Sequence, residues 1–517
     1  MADHSVTVAR FFRNAFTLLP RAVLGLYLTI VAVYFLSDVS QDDCAFILGS
    51  IRDLFAIILA TSTSIFASML PKAIYTDVRT VIKTMDVEPD YVPYVVCPKC
   101  HALYPLGHAN SETNPTCTKT IFGSVCGAPL YKKLRDKDGN DKTTPIGEYR
   151  YQPLKHHLGR MFADPMTAPW LHDNPLERRK RADGVWDVWD APCFSSLKGP
   201  DGKPFICLDT GNEESRLVFS VNMDGFNPGG NREAGKKITS SAIYLICMNL
   251  PPSLRYKMEY VYLAGVIPGP QAPTDHEINY LLEPLIDEML EAWQDGVFLS
   301  ETAERPNGHR VRCAVGPLVC DLPAARQMSG FAHYRSSNFC SECTQKLADI
   351  NDLDPTKWKK RSQQTHRGAA SLWKDAQSLE EREKVMENYG VRWSELLRLP
   401  YWDPTQFTVI DPMHAFYLRL FQHHIRSVWG MDAKITDGTG VTFDTQSNLP
   451  TEVEMGHAAR VLRHEKLDKL ASLPVDVLRQ LTRETSTLPW RRKKAVLVEQ
   501  LRQWVSPGVN EACVLVI

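Results

Sequence analysis

The run Leu217-Val218-Phe219-Ser220-Val221-Asn222-Met223 ends at Asp224 and is followed by Gly225-Phe226-Asn227-Pro228-Gly229-Gly230. A largely apolar run of strand length that stops at an acid and a Gly/Asn/Pro cluster reads as a core strand with a carboxylate at its exit. Such an acid has a rigid base and an open mouth, which suits a metal ion. An ordinary strand-ending Asp in a turn has the same appearance, so the rest of the chain must decide between the two readings.

The segments that follow are ordered. A second strand is expected over Ala242 to Leu250 and a third over Met258 to Ile267, stopped by Pro268-Gly269-Pro270. Ile278, Leu281, Leu282, Leu285, Ile286, Met289, Leu290 and Trp293 then recur at helical spacing. A fourth strand, Val311 to Cys320, ends at Asp321, and Leu322-Pro323-Ala324-Ala325-Arg326 opens a helix with Pro in its first turn. Three strands, a helix, a strand and a helix are the opening of an RNase H-like domain, an antiparallel meander whose fourth strand returns beside the first. In that order Asp224 and Asp321 leave neighbouring strand ends. Two adjacent carboxylates repel unless a divalent cation lies between them, and Mg²⁺, a hard oxygen-seeking ion, is the natural one.

The two aspartates sit in a chain whose bulk properties exclude several alternatives. At 517 residues it is too long for one core. With 59 basic and 60 acidic residues, any nucleic-acid surface must be local. Local basic runs are Arg178-Arg179-Lys180-Arg181, Lys357-Trp358-Lys359-Lys360-Arg361 and Arg491-Arg492-Lys493-Lys494, each more readily a solvated face than a DNA contact. Thirteen cysteines, an odd number with two Cys-x-x-Cys pairs, favour metal-bound thiolates over a disulfide framework. Cys97 and Cys100 on one tight turn, with Cys117 and Cys126 beyond, can close a tetrahedral zinc site; His101 and His108 are substitute ligands, and buried free thiols are the bland reading. The apolar run Ala22 to Leu36 falls short of the ~20 residues that span a bilayer, and Asp38, Asp42 and Asp43 follow it. It reads as a buried helix, with a membrane-associated segment as the competing reading. Near Trp186 to Trp189 the aromatic residues read as packing anchors. Further on, Phe407 to Ile410 is expected as another strand, running into Asp411-Pro412-Met413-His414 and a helix to Trp429. Asp411 and His414 are candidates for a catalytic or metal role, with capping of the helix by Asp411 as the alternative.

The ordered set Met223-Asp224-Gly225-Phe226-Asn227-Pro228, Ile267-Pro268-Gly269-Pro270, Cys320-Asp321-Leu322-Pro323-Ala324, Cys340-x-x-Cys343 and Asp411-Pro412-Met413-His414 resembles the transposases of CACTA-type DNA elements, particularly the Plavaka group of mushroom-forming fungi. The resemblance runs from about residue 90 to 430 and includes Cys97-Pro98-Lys99-Cys100 with Leu103-Tyr104 after it. It implies an RNase H-like DDE/D nuclease with Asp224 and Asp321 as the first two catalytic carboxylates. Mg²⁺ or Mn²⁺ would serve as catalytic cofactor, and a structural Zn²⁺ would sit at Cys340 and Cys343 with distant histidines, His414 among them. It also implies transposon-end double-stranded DNA as partner, a homo-oligomer and a nuclear location without a membrane. The family's third acid lies on a downstream helix near a Trp-Arg pair. Glu484 and Glu499 lack that context, so a C-terminally truncated copy is expected, with loss of activity through the missing third acid as one outcome and Asp411 as a weaker substitute.

The expected fold is an α+β/α/β multidomain chain: an RNase H-like mixed sheet flanked by helices, with an N-terminal helical region, a zinc finger and a C-terminal helical insertion. Its divisions are 1–90 helical, 91–132 Cys-rich, 133–212 connecting, 213–430 RNase H-like with a charged helical insertion at about 340–400, and 431–517 an incomplete helical insertion. The alternative function is a non-catalytic, zinc-stabilised DNA-binding or interaction protein derived from a transposon.

Overall fold

The computed structural model describes residues 5–8, 11, 19–37, 39–60, 71–86, 88–106, 116–135, 139–177, 187–206, 214–227, 240–429, 432–436, 440–444, 452–463, 467–485 and 494–505. The chain divides into two units, Met1–Ile410 and Asp411–Ile517.

Among the described residues, the first unit is built on a nine-stranded mixed sheet. Its strands are β1 (Ser5–Val6), β2 (Val92–Val96), β3 (Leu103–Pro105), β4 (Gly147–Tyr151), β5 (Glu214–Phe226), β6 (Ser240–Cys247), β7 (Tyr262–Ile267), β8 (Val297–Leu299) and β9 (His309–Leu318), and their spatial order is β1-β8-β9-β5-β6-β7-β4-β2-β3. β5, β6 and β7 form the antiparallel meander, and β9 lies parallel beside β5 with Leu318 opposite Val221. β5 is buried on both faces from Leu217 through Met223, which explains why its sequence is a continuous apolar run rather than an alternating one.

Helices cover the sheet. α1 (Arg21–Leu36), α2 (Gln41–Leu59) and α3 (Val78–Met85) form the N-terminal module, whose small core includes Val23, Tyr27, Ile30, Cys44, Leu48 and Val81. α4 (Leu154–Ala163) packs on the central sheet through Leu154, Leu158, Met161 and Phe162. α5 (Ile278–Gln294) is the crossover between β7 and β9; Ile278, Leu281, Leu282, Leu285, Ile286 and Met289 form its buried stripe. α6 (Leu322–Ser329) follows β9, and α7 (Gln363–Asp375) and α8 (Leu379–Tyr389) form the charged insertion, started by Ser362 and Ser378 as N-caps. Arg392 joins the end of this insertion to α6: its buried guanidinium donates to the Phe331, Arg326 and Gln327 carbonyls.

Several expectations need correction. The stretch read as a connection, 133–212, supplies β4, whose Tyr149 and Tyr151 are buried in the main core, and it supplies α4; a strand this short shows little period in sequence. Met258–Tyr260 is a 3₁₀ turn, so the third strand begins at Tyr262. Phe407 to Ile410 is not a full strand. Pro404–Phe407 is a single helical turn, capped by Asp403, and only Thr408 bridges to Leu318, with the Val409 N–H donating to the Leu318 carbonyl. α1 is buried along Val23, Tyr27 and Ile30 only; Leu28, Phe35 and Leu36 face solvent. No helix among the described residues is long and apolar enough to cross a membrane. Trp189 is buried against Phe194, the packing role expected for it.

The second unit contains a π-helical stretch over Met413–Phe421 and His424–Val428 and a hairpin of Asp432–Thr436 with Gly440–Asp444. Its helices Glu452–Arg463, Val475–Thr485 and Lys494–Val505 share a core that includes Val461, Leu470, Leu478, Leu481, Leu497 and Leu501.

Candidate metal centre and carboxylate rim

β2 leads directly into Cys97, and residues 98–100 turn so that Cys100 faces the same side. The Lys99 N–H points at the Cys97 sulfur at 3.4 Å, as expected when a tight turn surrounds a thiolate. Cys117 and Cys126 flank a hairpin, Thr120–Ile121 with Ser124–Val125, whose two turn residues Phe122 and Gly123 both have positive φ, 48° and 77°. The result brings the four sulfurs together. Cys97 and Cys126 are 3.8 Å apart, Cys100 and Cys117 3.5 Å, and all four lie within 4.8 Å of one another. Tetrahedral zinc with Zn–S bonds of ~2.3 Å requires sulfurs about 3.8 Å apart, so this donor set fits the ion. Among the described residues it is the one group of three or more potential ligands that meets this closeness. Burial pushes the Cys97 and Cys100 thiols up. For Cys117 burial acts the same way but is outweighed by hydrogen bonds, that from the Tyr104 hydroxyl first, and the thiol is held below its ordinary value. His101 does not join the four clustered sulfurs; its Nδ1 lies 3.1 Å from Glu277 Oε2 and ties the module to the start of α5. Burial raises the Glu277 carboxyl, yet the bonds from His101 and Thr274 prevail and hold it below the usual range. His108 lies outside the described residues.

The other candidate lies at the ends of β5 and β9. The Val319 N–H donates to the Val221 carbonyl at 2.9 Å, and the Met223 N–H to the Cys320 sulfur at 3.1 Å. Each aspartate is therefore the residue immediately after a cross-strand contact, although Met223 and Cys320 are 97 positions apart. Asp224 is exposed, and Asp321 is partly so. One oxygen of Asp321 accepts from the Ala324 N–H at 2.9 Å and caps α6. That bond fixes the carboxyl group and engages one lone pair, with the remaining acceptor sites directed elsewhere. The cysteine at this junction, Cys320, was visible in sequence only as part of a motif; its sulfur accepts the Met223 N–H.

The remaining predicted residues are dispersed. Cys340 and Cys343 form a turn in which the Cys343 N–H points at the Cys340 sulfur at 3.4 Å, and burial raises the Cys343 thiol. Among the described residues no third ligand joins them within metal-sharing distance. Arg361 is engaged internally, donating to the Cys340, Cys343 and Tyr389 carbonyls, whereas Lys359 and Lys360 are exposed. Arg178, Arg179, Lys180 and Arg181 lie outside the described residues. Asp411 and His414 belong to the second unit. There Asp411 accepts from the Met413 N–H at 2.8 Å and its other oxygen meets the His414 Nδ1, an arrangement that caps the helix. Glu499 is exposed on Lys494–Val505, and Glu484 lies on Val475–Thr485 with its side chain outside the described residues.

A comparison with curated proteins gives no match. A comparison with family models does: residues 206–368 match the transposase family tnp2. The matched segment starts just before β5 and ends in α7, so it contains both aspartates, the crossover helix and the Cys340–Cys343 turn. The central segment of this chain, residues 206–368, is thus similar to the tnp2 family of CACTA-type transposases.

Proposed function

We propose that this transposase cuts and joins the phosphodiester backbone of transposon-end DNA in the nucleus, at an RNase H-like site whose first two carboxylates are Asp224 and Asp321. The observation that carries the reading is the parallel return of β9 beside β5, with Met223 bonded to Cys320 one residue before each acid. A divalent ion such as Mg²⁺ or Mn²⁺ held by this pair would activate a water or a DNA 3′-hydroxyl and stabilise the leaving oxygen. The residues supply the binding and the orientation. Asp321 is aimed by its cap to Ala324, and Asp224 lies on a strand whose backbone pairs with β6 through that position and with β9 as far as Val221. Hard carboxylate oxygens are the donors that such an ion prefers, and an exposed mouth leaves room for a phosphate. The four-cysteine module, loaded with zinc, holds β2 and β3 at the far side of the sheet as a structural element.

The test is cleavage of terminal-repeat DNA by the full chain with Mg²⁺ or Mn²⁺. Nicking is expected to be metal-dependent and to vanish in Asp224→Ala and Asp321→Ala. Nicking that survives both substitutions would overturn the assignment, and salt-sensitive duplex binding without any cleavage would identify a non-catalytic derivative.

A further inference from the structure

A cavity of about 490 Å³ opens between the cysteine module, the start of α5 and the charged insertion. That is a usual size for a small-molecule site, about 300–1,000 Å³. Three segments far apart in sequence wall it: the hairpin tip at Phe122, His276 and Tyr280 around the α5 start, and α7 and α8 with Trp373, Lys374 and Arg382, joined by Trp393.

Its chemistry is specific. Each cation in the wall lies on an aromatic ring. The Arg382 guanidinium is 4.1 Å from the Trp373 ring centre and 4.5 Å from that of Phe122; the Lys374 ammonium is 3.8 Å from Trp393, and that of Lys119 is 4.5 Å from Tyr280. None of these three cations has a carboxylate partner among the described residues. Two buried nitrogens, Arg382 Nε and His276 Nδ1, have no hydrogen-bond partner among the described residues. Burial pushes His276 down to about 4, so its ring is neutral at physiological pH. Of the two wall acids, Glu395 is taken up by the Trp393 indole and Arg398. Burial first, and then Glu395 and Asp287, push the Glu283 carboxyl up.

A cationic guest would meet three positive charges. A purely apolar one would leave the two buried nitrogens unsatisfied, which is costly. Aromatic walls combined with ammonium and guanidinium groups that have no carboxylate partner among the described residues suit a guest that is planar, rich in edge donors and acceptors, and anionic. That combination is a nucleotide: the base stacks on aromatic and guanidinium planes, and the phosphate meets the lysines.

We infer that the cavity between the Phe122 hairpin, α5 and the α7–α8 insertion is a binding pocket for a single nucleotide unit, taken free or as an unpaired residue of a DNA strand. The strand as source rests on the transposase reading; the pocket does not.

The experiment uses the full zinc-loaded chain and the fluorescent probe 2-aminopurine deoxyribonucleoside 5′-monophosphate, with deoxyadenosine monophosphate, deoxyadenosine and inorganic phosphate as competitors. Deoxyadenosine monophosphate is expected to compete about tenfold or more better than either fragment, reflecting a stacked base joined to a bound phosphate. Lys374→Glu, on an exposed residue, and Arg382→Gln are each expected to weaken probe binding about fivefold or more. Should Arg382→Gln lose its fold by circular dichroism, Lys374→Glu decides alone. Competition no better than by inorganic phosphate, or binding unmoved by the substitutions that fold, overturns the pocket. A second arm places 2-aminopurine within single-stranded and fully paired oligonucleotides. Binding of the unpaired form beyond the paired one assigns the strand as source, and binding of the mononucleotide alone assigns free nucleotide. Metal-dependent nicking, scored on the same preparations, reports separately on the Asp224–Asp321 reading.

Discussion

The cysteine cluster takes its four donors from a stretch whose ends are 29 positions apart and buries three of them. The aspartate pair depends on strands joined by a long crossover and leaves Asp224 in solvent. The first is shaped by local turns and already holds its sulfurs at metal-sharing spacing. The second owes its existence to sheet topology and presents two anchors with an open side. A closed set of soft ligands suits a site that stabilises a fold, and hard oxygens beside an opening suit the reactant-admitting site proposed above.

The largest effect expected from breaking this contrast is loss of the cysteine site. Zinc bound to such a module is worth an apparent ~10–16 kcal/mol. Cys100→Ser, or a strong chelator, is therefore expected to remove one zinc per chain and expose residues 91–132 to limited proteolysis. Full protection with no bound metal would mean that the packing of Val95, Ala102 and Leu130 suffices.

Next comes a substitution that separates the two roles of Asp321. Serine also caps helices, so Asp321→Ser keeps an acceptor for the Ala324 N–H while removing the carboxylate. Cleavage is expected to fall about a thousandfold, roughly 4 kcal/mol of barrier, with little change in melting temperature. Retained cleavage together with a lowered melting temperature in Asp321→Ala would reduce this acid to a cap.

A smaller effect concerns the sheet that carries both sites. His157 is buried on α4 against Tyr262, its ring centre 4.9 Å away, and burial lowers its pKa to about 3. A base depressed in the folded state binds more protons when unfolded. Its contribution to stability is thus complete above about pH 6.5 and declines as the pH falls toward 3. His172, His276 and His309, each near 4, act in the same direction. His157→Phe is expected to flatten this acid loss by about 1.4 kcal/mol or more, read from denaturant unfolding at pH 7 and pH 5. An unchanged slope would locate the acid sensitivity in the other histidines.

The smallest change is expected on the surface. Exposed Lys359 and Lys360 each contribute about 0.9 to the salt slope of duplex binding if they meet phosphates. The double alanine variant, measured across a salt series, should lower the slope by roughly that amount per lysine. An unaltered slope would remove them from the DNA surface.

Much of the central sheet was legible in sequence because burial dictated residue type. The run Leu217 to Met223 is apolar because both faces of β5 are covered, and the Ile278-to-Met289 stripe is apolar because one face of α5 meets the sheet. The four cysteines were legible because thiolate chemistry ties residue type to spacing. What failed did so for equally physical reasons. β4 is five residues long, and its inclusion in the sheet depends on β2 upstream and on β7 over a hundred positions downstream. Thr408 makes one bridge, and that number follows from where β9 ends rather than from its own neighbours. The cavity was invisible because Phe122, His276, Trp373 and Trp393 share no local pattern; each reads as an ordinary packing residue until the fold gathers them.

The pairing of β9 with β5 also sets an order in time. During synthesis β5, β6 and β7 can pair with one another as they emerge, whereas the Met223–Cys320 junction must wait until the crossover helix and β9 have been made. A long-range parallel contact of this kind carries a loop-closure cost before it yields any stabilisation. A ribosome-bound chain that stops before Asp321 therefore has the first acid on a finished hairpin and nothing beside it, which keeps the proposed nuclease site unassembled until this part of the protein is complete.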